Sequence, residues 1–256
     1  GDYLLFFARG PVSWEYSDTR GMFLHEKNNY SDYGTYLITS GQGTAVTPEI
    51  LPSVTTDPDY QSDSYDILAW HEEDTYNFLK SGREWYGEDF DISIQRNFDF
   101  TFPGIRTDEP VKLATGLLGR SKEDVSFAVY AGSTFLDTVQ LRRTNLGSYT
   151  AIFGDFEDDY FEFTPAGETI QVRLRFNKSD AGSRGWLDYL TLNARADLAM
   201  TGDELIFRDR LMAENGPVTR FTLGSANENI LVWDVTYIHQ IQRLSTALIG
   251  NQFQVT

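Results

Sequence analysis

The densest group of carboxylates in the sequence is formed by Asp155, Glu157, Asp158 and Asp159. Carboxylate oxygens gathered in a loop are the ligands that Ca²⁺ prefers, so these four residues are the candidate metal site. The EF-hand spacing is absent, and a solvated acidic loop without an ion is the alternative interpretation. Calcium is the one cofactor that the sequence suggests.

The sequence offers little nucleophilic chemistry. It has no cysteine among its 256 residues, which excludes a cysteine nucleophile, a disulfide and a thiolate metal site. None of its three histidines, His25, His71 and His239, accompanies a Gly-x-Ser-x-Gly nucleophile motif. His71-Glu72 begins like the His-Glu-x-x-His motif of zinc proteases, but Thr75 stands where the second histidine is required. We therefore predict no catalytic residue in this sequence.

A pair of carboxylates could still perform glycosidase chemistry. The sequence contains 38 acidic residues, so pairs that arise by chance are frequent and the sequence alone selects none of them. A hydrolase with an unrecognised carboxylate site therefore stays open as an alternative.

Three aromatic residues are the candidate binding residues. Trp85 and Tyr86 lie between Gly82 and Gly87, and Trp186 follows a short glycine-containing segment. Exposed aromatic rings of this kind stack on sugars through their apolar faces. Burial of the same rings at a domain joint or in a core is the alternative interpretation.

Composition and charge exclude several classes of partner. The net charge of −17 repels a phosphate backbone and an anionic membrane surface, so we expect neither nucleic acid nor lipid as the partner. Apolar runs fall short of the ~20 residues that cross a bilayer, so no membrane span is predicted. Hydrophobic residues make up 41% of the sequence, which is enough for a packed core.

Short runs of alternating apolar and polar residues predict many β-strands. Ile170, Val172, Leu174 and Phe176 alternate with polar residues and mark the clearest half-buried strand. The other strands predicted for this part of the chain are 90–94, 98–102, 111–118, 125–130, 138–142 and 186–192. Short strands separated by turns are typical of sandwiches. The predicted fold class is all-β, with a jelly-roll-like β-sandwich from about residue 90 to 196.

The remaining residues are predicted to form a smaller β domain from both ends of the chain. Residues 47–66 contain three prolines and four aspartates and are predicted to be a loop or linker. The strands predicted in these segments are 3–8, 14–16 and 22–25 as a hairpin, 33–39, 205–208, 218–223, 230–236 and 251–256. We expect the domains to be 1–81, 82–196 and 197–256, with the last packing against the first.

Four motifs carry a resemblance to a known family. They are Gly82 to Glu88 (Gly-Arg-Glu-Trp-Tyr-Gly-Glu), Asp2 to Phe7 with Gly10-Pro11 and Trp14, Trp186 to Tyr189 with Leu192 to Arg195, and Val232 to Thr236. Taken together, they resemble the type IX secretion system sortase, a gingipain-like cysteine peptidase of Bacteroidetes. The motifs occur in the family's order and span nearly the whole sequence.

This resemblance implies a non-catalytic role for this sequence. In that family the motifs precede the peptidase domain, so the catalytic cysteine and histidine would follow Thr256. Gly1-Asp2 leads into an apolar run without a signal peptide, and we expect the sequence to be an excised piece of a longer chain. The full protein would cleave C-terminal secretion signals from cargo and anchor the cargo at the cell surface. This piece would serve as its accessory or scaffold region.

The resemblance also implies partners and a location. The expected partners are the downstream peptidase domain of the same chain, secreted cargo or other secretion-system components, and a surface glycan. The expected location is the extracellular face of the outer membrane. A carbohydrate-binding β-sandwich module is the alternative function.

Overall fold

The computed structural model describes residues 5–38, 48–80, 84–148, 151–216, 218–249 and 252–256, and in them the chain is almost entirely β. The elements are β1 (Val12–Ser17), β2 (Met22–Lys27), β3 (Glu49–Leu51), β4 (Tyr60–Ser62), β5 (Ser64–Glu72), β6 (Gln95–Thr101), β7 (Val111–Arg120), β8 (Val125–Ala131), β9 (Thr134–Leu141), β10 (Asp155–Phe163), β11 (Thr169–Asn177), β12 (Arg184–Asp197), α1 (Met212–Asn215), β13 (Thr219–Leu223), β14 (Val232–Asp234), β15 (Gln242–Leu244), β16 (Thr246–Ile249) and β17 (Gln252–Val255). Within the described residues, no helix has the length and apolar character needed to cross a membrane.

The chain divides into two compact units. The sandwich unit comprises Ser13–Asn29 and Ile67–Arg195. The terminal unit comprises Gly1–Val12, Tyr30–Asp66 and Ala196–Thr256, so it draws on both ends of the chain. The predicted combination of a β-sandwich with a smaller β domain built from both terminal segments is confirmed.

Two four-stranded sheets form the sandwich unit. Their strand orders are β10-β7-β12-β5 and β6-β11-β8-β9. In the first sheet, β7 pairs antiparallel with both β10 and β12. In the second, β11 pairs antiparallel with β6 and β8. Because each strand alternates its side chains between two faces, one face of each sheet supplies the core.

The core between the sheets is rich in phenylalanine. Phe90, Phe102, Phe127 and Phe176 are almost completely buried. The Phe127 ring lies edge-on to Phe90 at 4.9 Å and tilted against Phe176 at 4.8 Å between centroids. Burying such a side chain stabilises the fold by about 1.5–3 kcal/mol. The alternation predicted for β11 is confirmed, because Ile170, Val172, Leu174 and Phe176 are all buried.

The predicted N-terminal hairpin is formed by β1 and β2. Its turn is closed by the backbone N–H groups of Arg20 and Gly21, which both donate to the Ser17 carbonyl. Gly21 has a φ of 61°, a left-handed conformation that glycine adopts without strain. The structure places this hairpin in the sandwich unit, whereas the expected domain 1–81 assigned it to an N-terminal segment.

In the terminal unit, strands from the two ends of the chain pair directly. β4 pairs parallel with β13, and β3 pairs parallel with β15. The two sheets have the orders β16-β17-β13-β4 and β14-β15-β3. Leu198, Leu223, Val232, Phe253 and Val255 are buried in this unit.

Several predicted elements are wrong. No strand forms within 5–8, 33–38, 90–94 or 205–208, while Tyr3, Leu4 and Thr39 lie outside the described residues. Leu37 and Ile92 in these segments are exposed, so their side chains gain no burial that would favour a strand. Residues 48–66, predicted as a linker, contain β3, β4 and the start of β5, because the C-terminal strands pair with them.

Candidate functional site

The outer face of the sheet β10-β7-β12-β5 carries a group of polar side chains that could do chemistry. On this face the register places Asp158 of β10 opposite Gly116 of β7, and Tyr189 of β12 opposite the same glycine. The register of β12 shifts between Leu187 and Tyr189. This bulge turns both Asp188 and Tyr189 towards Gly116.

Gly116 makes room for these two side chains. A Cβ at this position would lie 2.6 Å from Cε1 of Tyr189 and 3.1 Å from Cβ of Asp188. The Tyr189 hydroxyl donates a hydrogen bond of 2.7 Å to Oδ1 of Asp158. Burial, the hydrogen bond to Asp158 and that carboxylate's charge raise the pKa of Tyr189 above its ordinary value. The tyrosine therefore stays protonated and acts as a fixed donor.

Asp188 is the most perturbed carboxyl group on this face. Burial and the negative charges of Glu72, Asp158, Asp74 and Glu84 raise its pKa to about 8. It is therefore mostly protonated at neutral pH. A raised carboxyl pKa is a frequent mark of a functional site, although packed ion networks also produce it.

The hairpin contacts the same face through His25. Nδ1 of His25 lies 2.7 Å from Oγ1 of Thr191, and Nε2 lies 2.9 Å from Oε2 of Glu72. The imidazole stacks on Trp70 with centroids 5.1 Å apart. The His25 side chain is only 1% exposed, so it serves as an anchor for the hairpin and lies out of reach of a substrate.

An aromatic cluster occupies another part of the outer face. Tyr86, Leu118 and Trp186 are buried, and Phe78 and Phe153 pack against them. The rings of Phe78 and Phe153 stack at 4.3 Å, and Phe78 meets Trp186 edge-on at 4.6 Å. Backbone hydrogen bonds of 2.8 and 2.9 Å between Tyr76 and Tyr86 hold the segment in place.

A shallow groove of about 240 Å³ opens beside this cluster. Its lining is mainly apolar: Phe78, Leu79, Glu84, Tyr86, Leu118, Ile152, Phe153, Gly154 and Phe156. Among the described residues, Glu84 is the one carboxylate that lines it. Hydrolysis of a glycoside needs two carboxylates that flank the bond. The groove is therefore suited to apolar contact and lacks the pair that glycosidase chemistry requires.

A histidine and two glutamates meet at the end of β5. Nε2 of His71 lies 2.6 Å from Oε1 of Glu88. Ligand atoms of His71, Glu73 and Glu88 all lie within 4.8 Å of one another, and among the described residues this is the group that could hold a metal ion. Burial is the largest single effect and acts to raise the pKa of Glu88, but four smaller effects together lower the pKa overall. They are the hydrogen bond with His71, the hydrogen bond with its own backbone, and the charges of His71 and Arg96. Glu88 is therefore ionised at neutral pH.

The four acids predicted to bind calcium do not form a loop. They lie on β10, where side chains alternate between faces. Asp158 points to the outer face with Tyr189, and by the alternation Asp155, Glu157 and Asp159 share the opposite direction. Their carboxylates are not gathered into a metal-binding group in the described structure. Calcium binding by these residues stays a prediction, without the shared loop on which it was based.

The three predicted binding aromatics have different surroundings. Tyr86 and Trp186 are buried in the aromatic cluster, each only 7% exposed, whereas Trp85 is half-buried. Packed in this way, Tyr86 and Trp186 offer no free ring face for a sugar. Sequence reasoning missed Phe78, Phe153 and Phe156 as groove residues, and it missed His71 with Glu73 and Glu88. The sequence signal for the group of His71, Glu73 and Glu88 was weak, because an irregular segment separates Glu88 from the strand that carries His71.

The fold and the site together define an all-β chain. One unit is a two-sheet sandwich with a packed aromatic cluster and an apolar groove, and the other is a β unit built from both chain ends. No protein-family model matches the chain, and neither does a curated protein. Among solved structures, the chain is similar to the dimeric latent form of PorU from Porphyromonas gingivalis. The match has a TM-score of 0.85 and 20% identity, and it covers 98% of this chain and 24% of that chain.

PorU is the sortase of the type IX secretion system. The resemblance inferred from the sequence motifs is therefore confirmed at the level of the fold. This chain spans about a quarter of the length of PorU, as the 24% coverage states.

Carbohydrate-binding modules also match part of the chain. One is the CBM36-1 domain of a xylanase from the hindgut metagenome of Trinervitermes trinervoides, with a TM-score of 0.32, 7% identity and coverage of 50% of this chain and 95% of that one. Another is a family 35 module from Clostridium thermocellum, with a TM-score of 0.31, 14% identity and coverage of 50% and 90%. Because these matches cover only half of this chain, they establish nothing about a ligand.

Proposed function

We propose that this chain is the non-catalytic N-terminal region of a gingipain-like sortase and acts as a scaffold for the peptidase domain that follows it. The observation that carries the proposal is the shared fold with PorU over 98% of this chain. The longer protein would remove C-terminal secretion signals from cargo and anchor the cargo on the extracellular face of the outer membrane. The bond chemistry would belong to the rest of that protein.

The described side chains support a role without bond chemistry. The sequence has no cysteine, so the nucleophile of a cysteine peptidase must come from elsewhere. Asp188, the carboxyl group with the most strongly raised pKa, does not line the groove. Its neighbours Tyr189 and Asp158 are joined to each other by a hydrogen bond of 2.7 Å. We infer that this hydrogen bond stabilises the bulge of β12.

The apolar groove is the proposed docking face for the peptidase domain. Ile152 and Leu79 line it and are 67% and 66% exposed. Exposed apolar side chains grouped around a groove are typical of surfaces that another protein covers. The PorU match supports a domain of the same chain as the occupant, because three quarters of that protein lie outside the matched part.

A pair of substitutions in the full-length protein tests this proposal. Ile152→Asp places a charge in the groove, while Ile92→Asp places one on an exposed isoleucine of the sandwich unit outside the groove. We expect Ile152→Asp to slow removal of the C-terminal signal from a cargo protein by about tenfold or more, since a buried unpaired charge costs at least about 1.4 kcal/mol. Ile92→Asp should leave the rate unchanged.

The outcomes are distinct. Equal processing rates for wild type and both variants would contradict docking through the groove. A full-length protein that never processes cargo would contradict the sortase assignment itself. Binding of surface glycan is a separate expectation, and the burial of Tyr86 and Trp186 gives it no support.

A further inference from the structure

The end of β5 and the irregular segment 84–90 approach each other unusually closely. Gly87 donates its backbone N–H to the Leu187 carbonyl at 2.7 Å, and Leu187 donates to the Glu88 carbonyl at 3.0 Å. These bonds fix the backbone of Glu88 to β12. A Cβ at Gly87 would lie 2.9 Å from the carbonyl oxygen of Glu73, so the approach of the two segments requires glycine at this position.

This approach gathers three side chains with metal-binding atoms. His71 lies near the end of β5, Glu73 directly follows that strand, and Glu88 comes from the fixed segment. Their ligand atoms lie within 4.8 Å of one another. The His71 ring packs on Phe98 with centroids 4.8 Å apart, which holds the direction in which its nitrogens point.

Glu88 has an oxygen with no partner in the described structure. Oε1 contacts His71, but Oε2 is buried and makes no hydrogen bond. The Glu88 side chain is only 15% exposed. A buried carboxylate oxygen without a partner costs free energy, and a cation held between Glu88 and its neighbours would remove that cost.

The donor set indicates which cation fits. One imidazole nitrogen with two carboxylates suits first-row divalent ions such as Zn²⁺. Ca²⁺ and Mg²⁺ prefer sites made of oxygen alone. We propose that His71, Glu73 and Glu88 bind a Zn²⁺-type divalent ion that ties the end of β5 to segment 84–90. In the bound form, Nε2 of His71 gives up its contact with Glu88 and both groups ligate the ion.

This site is separate from the proposed scaffold function and from the four acids of β10. It ties together the motif segment on which the family resemblance depends, because Glu88 closes the Gly-Arg-Glu-Trp-Tyr-Gly-Glu motif. The ion would therefore have a structural role, comparable to a cross-link between two segments 17 residues apart in sequence.

The test is calorimetric titration of the 256-residue chain with ZnCl₂, with thermal unfolding measured alongside. Glu73→Gln removes one ligand, and because Glu73 is exposed we expect the variant to fold like wild type. Glu88→Gln removes the second ligand, and Glu123→Gln changes an exposed glutamate elsewhere in the sandwich unit as the matched control. CaCl₂ is the comparison titrant.

We expect one saturable Zn²⁺ site in wild type and in Glu123→Gln. The affinity should fall at least about tenfold in Glu73→Gln and in Glu88→Gln, and CaCl₂ should not compete. Zn²⁺ at about a hundredfold above Kd should raise Tm by about 5 °C in wild type. Absence of a saturable site in wild type, or equal affinity in Glu73→Gln and Glu123→Gln, would overturn the proposal.

Discussion

Because the pKa of Asp188 is raised in the folded state, the sandwich unit becomes less stable as pH rises. Its pKa is raised from 3.8 to about 8, first by burial and then by the charges of Glu72, Asp158, Asp74 and Glu84. Between these values the folded state holds a proton that the unfolded state has released. The free energy of unfolding therefore decreases from about pH 4 to about pH 8. Replacing Asp188 by asparagine, which is neutral at every pH, should remove this dependence.

The structure sets the size of the effect. Each pKa unit corresponds to about 1.4 kcal/mol, so the full shift would be worth roughly 6 kcal/mol. Asp188 is only half-buried in the folded chain, and solvent that reaches it weakens the interactions with its neighbours. We therefore expect the free energy of unfolding of Asp188→Asn to exceed that of wild type by about 2–3 kcal/mol at about pH 9. Near pH 4 the two free energies should be equal.

Urea unfolding followed by tryptophan fluorescence measures this difference. Trp14, Trp70, Trp85 and Trp186 all lie in the sandwich unit, so the signal reports mainly on it. Asp108→Asn, a change at an exposed aspartate of the same unit, is the control and should follow wild type at every pH. Parallel pH profiles for wild type and Asp188→Asn, within about 0.5 kcal/mol, would refute the reasoning.

Three further substitutions test the packing. Phe127→Ala should lower the free energy of unfolding by about 3–5 kcal/mol in urea, while the same change at Phe135, which is exposed, should cost less than about 1 kcal/mol; equal losses would contradict the placement of the core. Gly116→Ala should cost about 1–3 kcal/mol and change the near-ultraviolet circular dichroism, because its Cβ meets the Tyr189 ring; an unchanged spectrum would contradict the bulge geometry. His25→Ala should speed proteolytic cleavage in the hairpin, because it removes the bonds to Thr191 and Glu72; cleavage at the wild-type rate would show that the hairpin is held by other contacts.

The sandwich was predictable because its strands follow local rules. The alternation of Ile170, Val172, Leu174 and Phe176 indicates one buried face, and the structure buries all four. The acidic strand β10 was missed, because its polar run gives a loop-like composition while Phe161 and Phe163 pack against the core from one face. The short strands β3 and β4 were missed because they depend on pairing with β15 and β13, far along the chain.

The site was predictable only in part. Trp85, Tyr86 and Trp186 were predicted as binding aromatics, with burial as the alternative, because the sequence cannot show whether the rings face solvent or pack together. The bulge that turns Asp188 outwards has no local sequence signal. The meeting of His71 with Glu88 depends on a close backbone approach at Gly87, which only the folded chain reveals.

The sequence of the native gene beyond Thr256 tests the proposed function most directly. We expect it to encode an α/β domain that carries a histidine and a cysteine in a gingipain-like context. Such a domain would make this chain the scaffold region of a sortase. A stop codon directly after Thr256, or an unrelated domain, would contradict the proposal and would instead indicate a free-standing surface-binding protein.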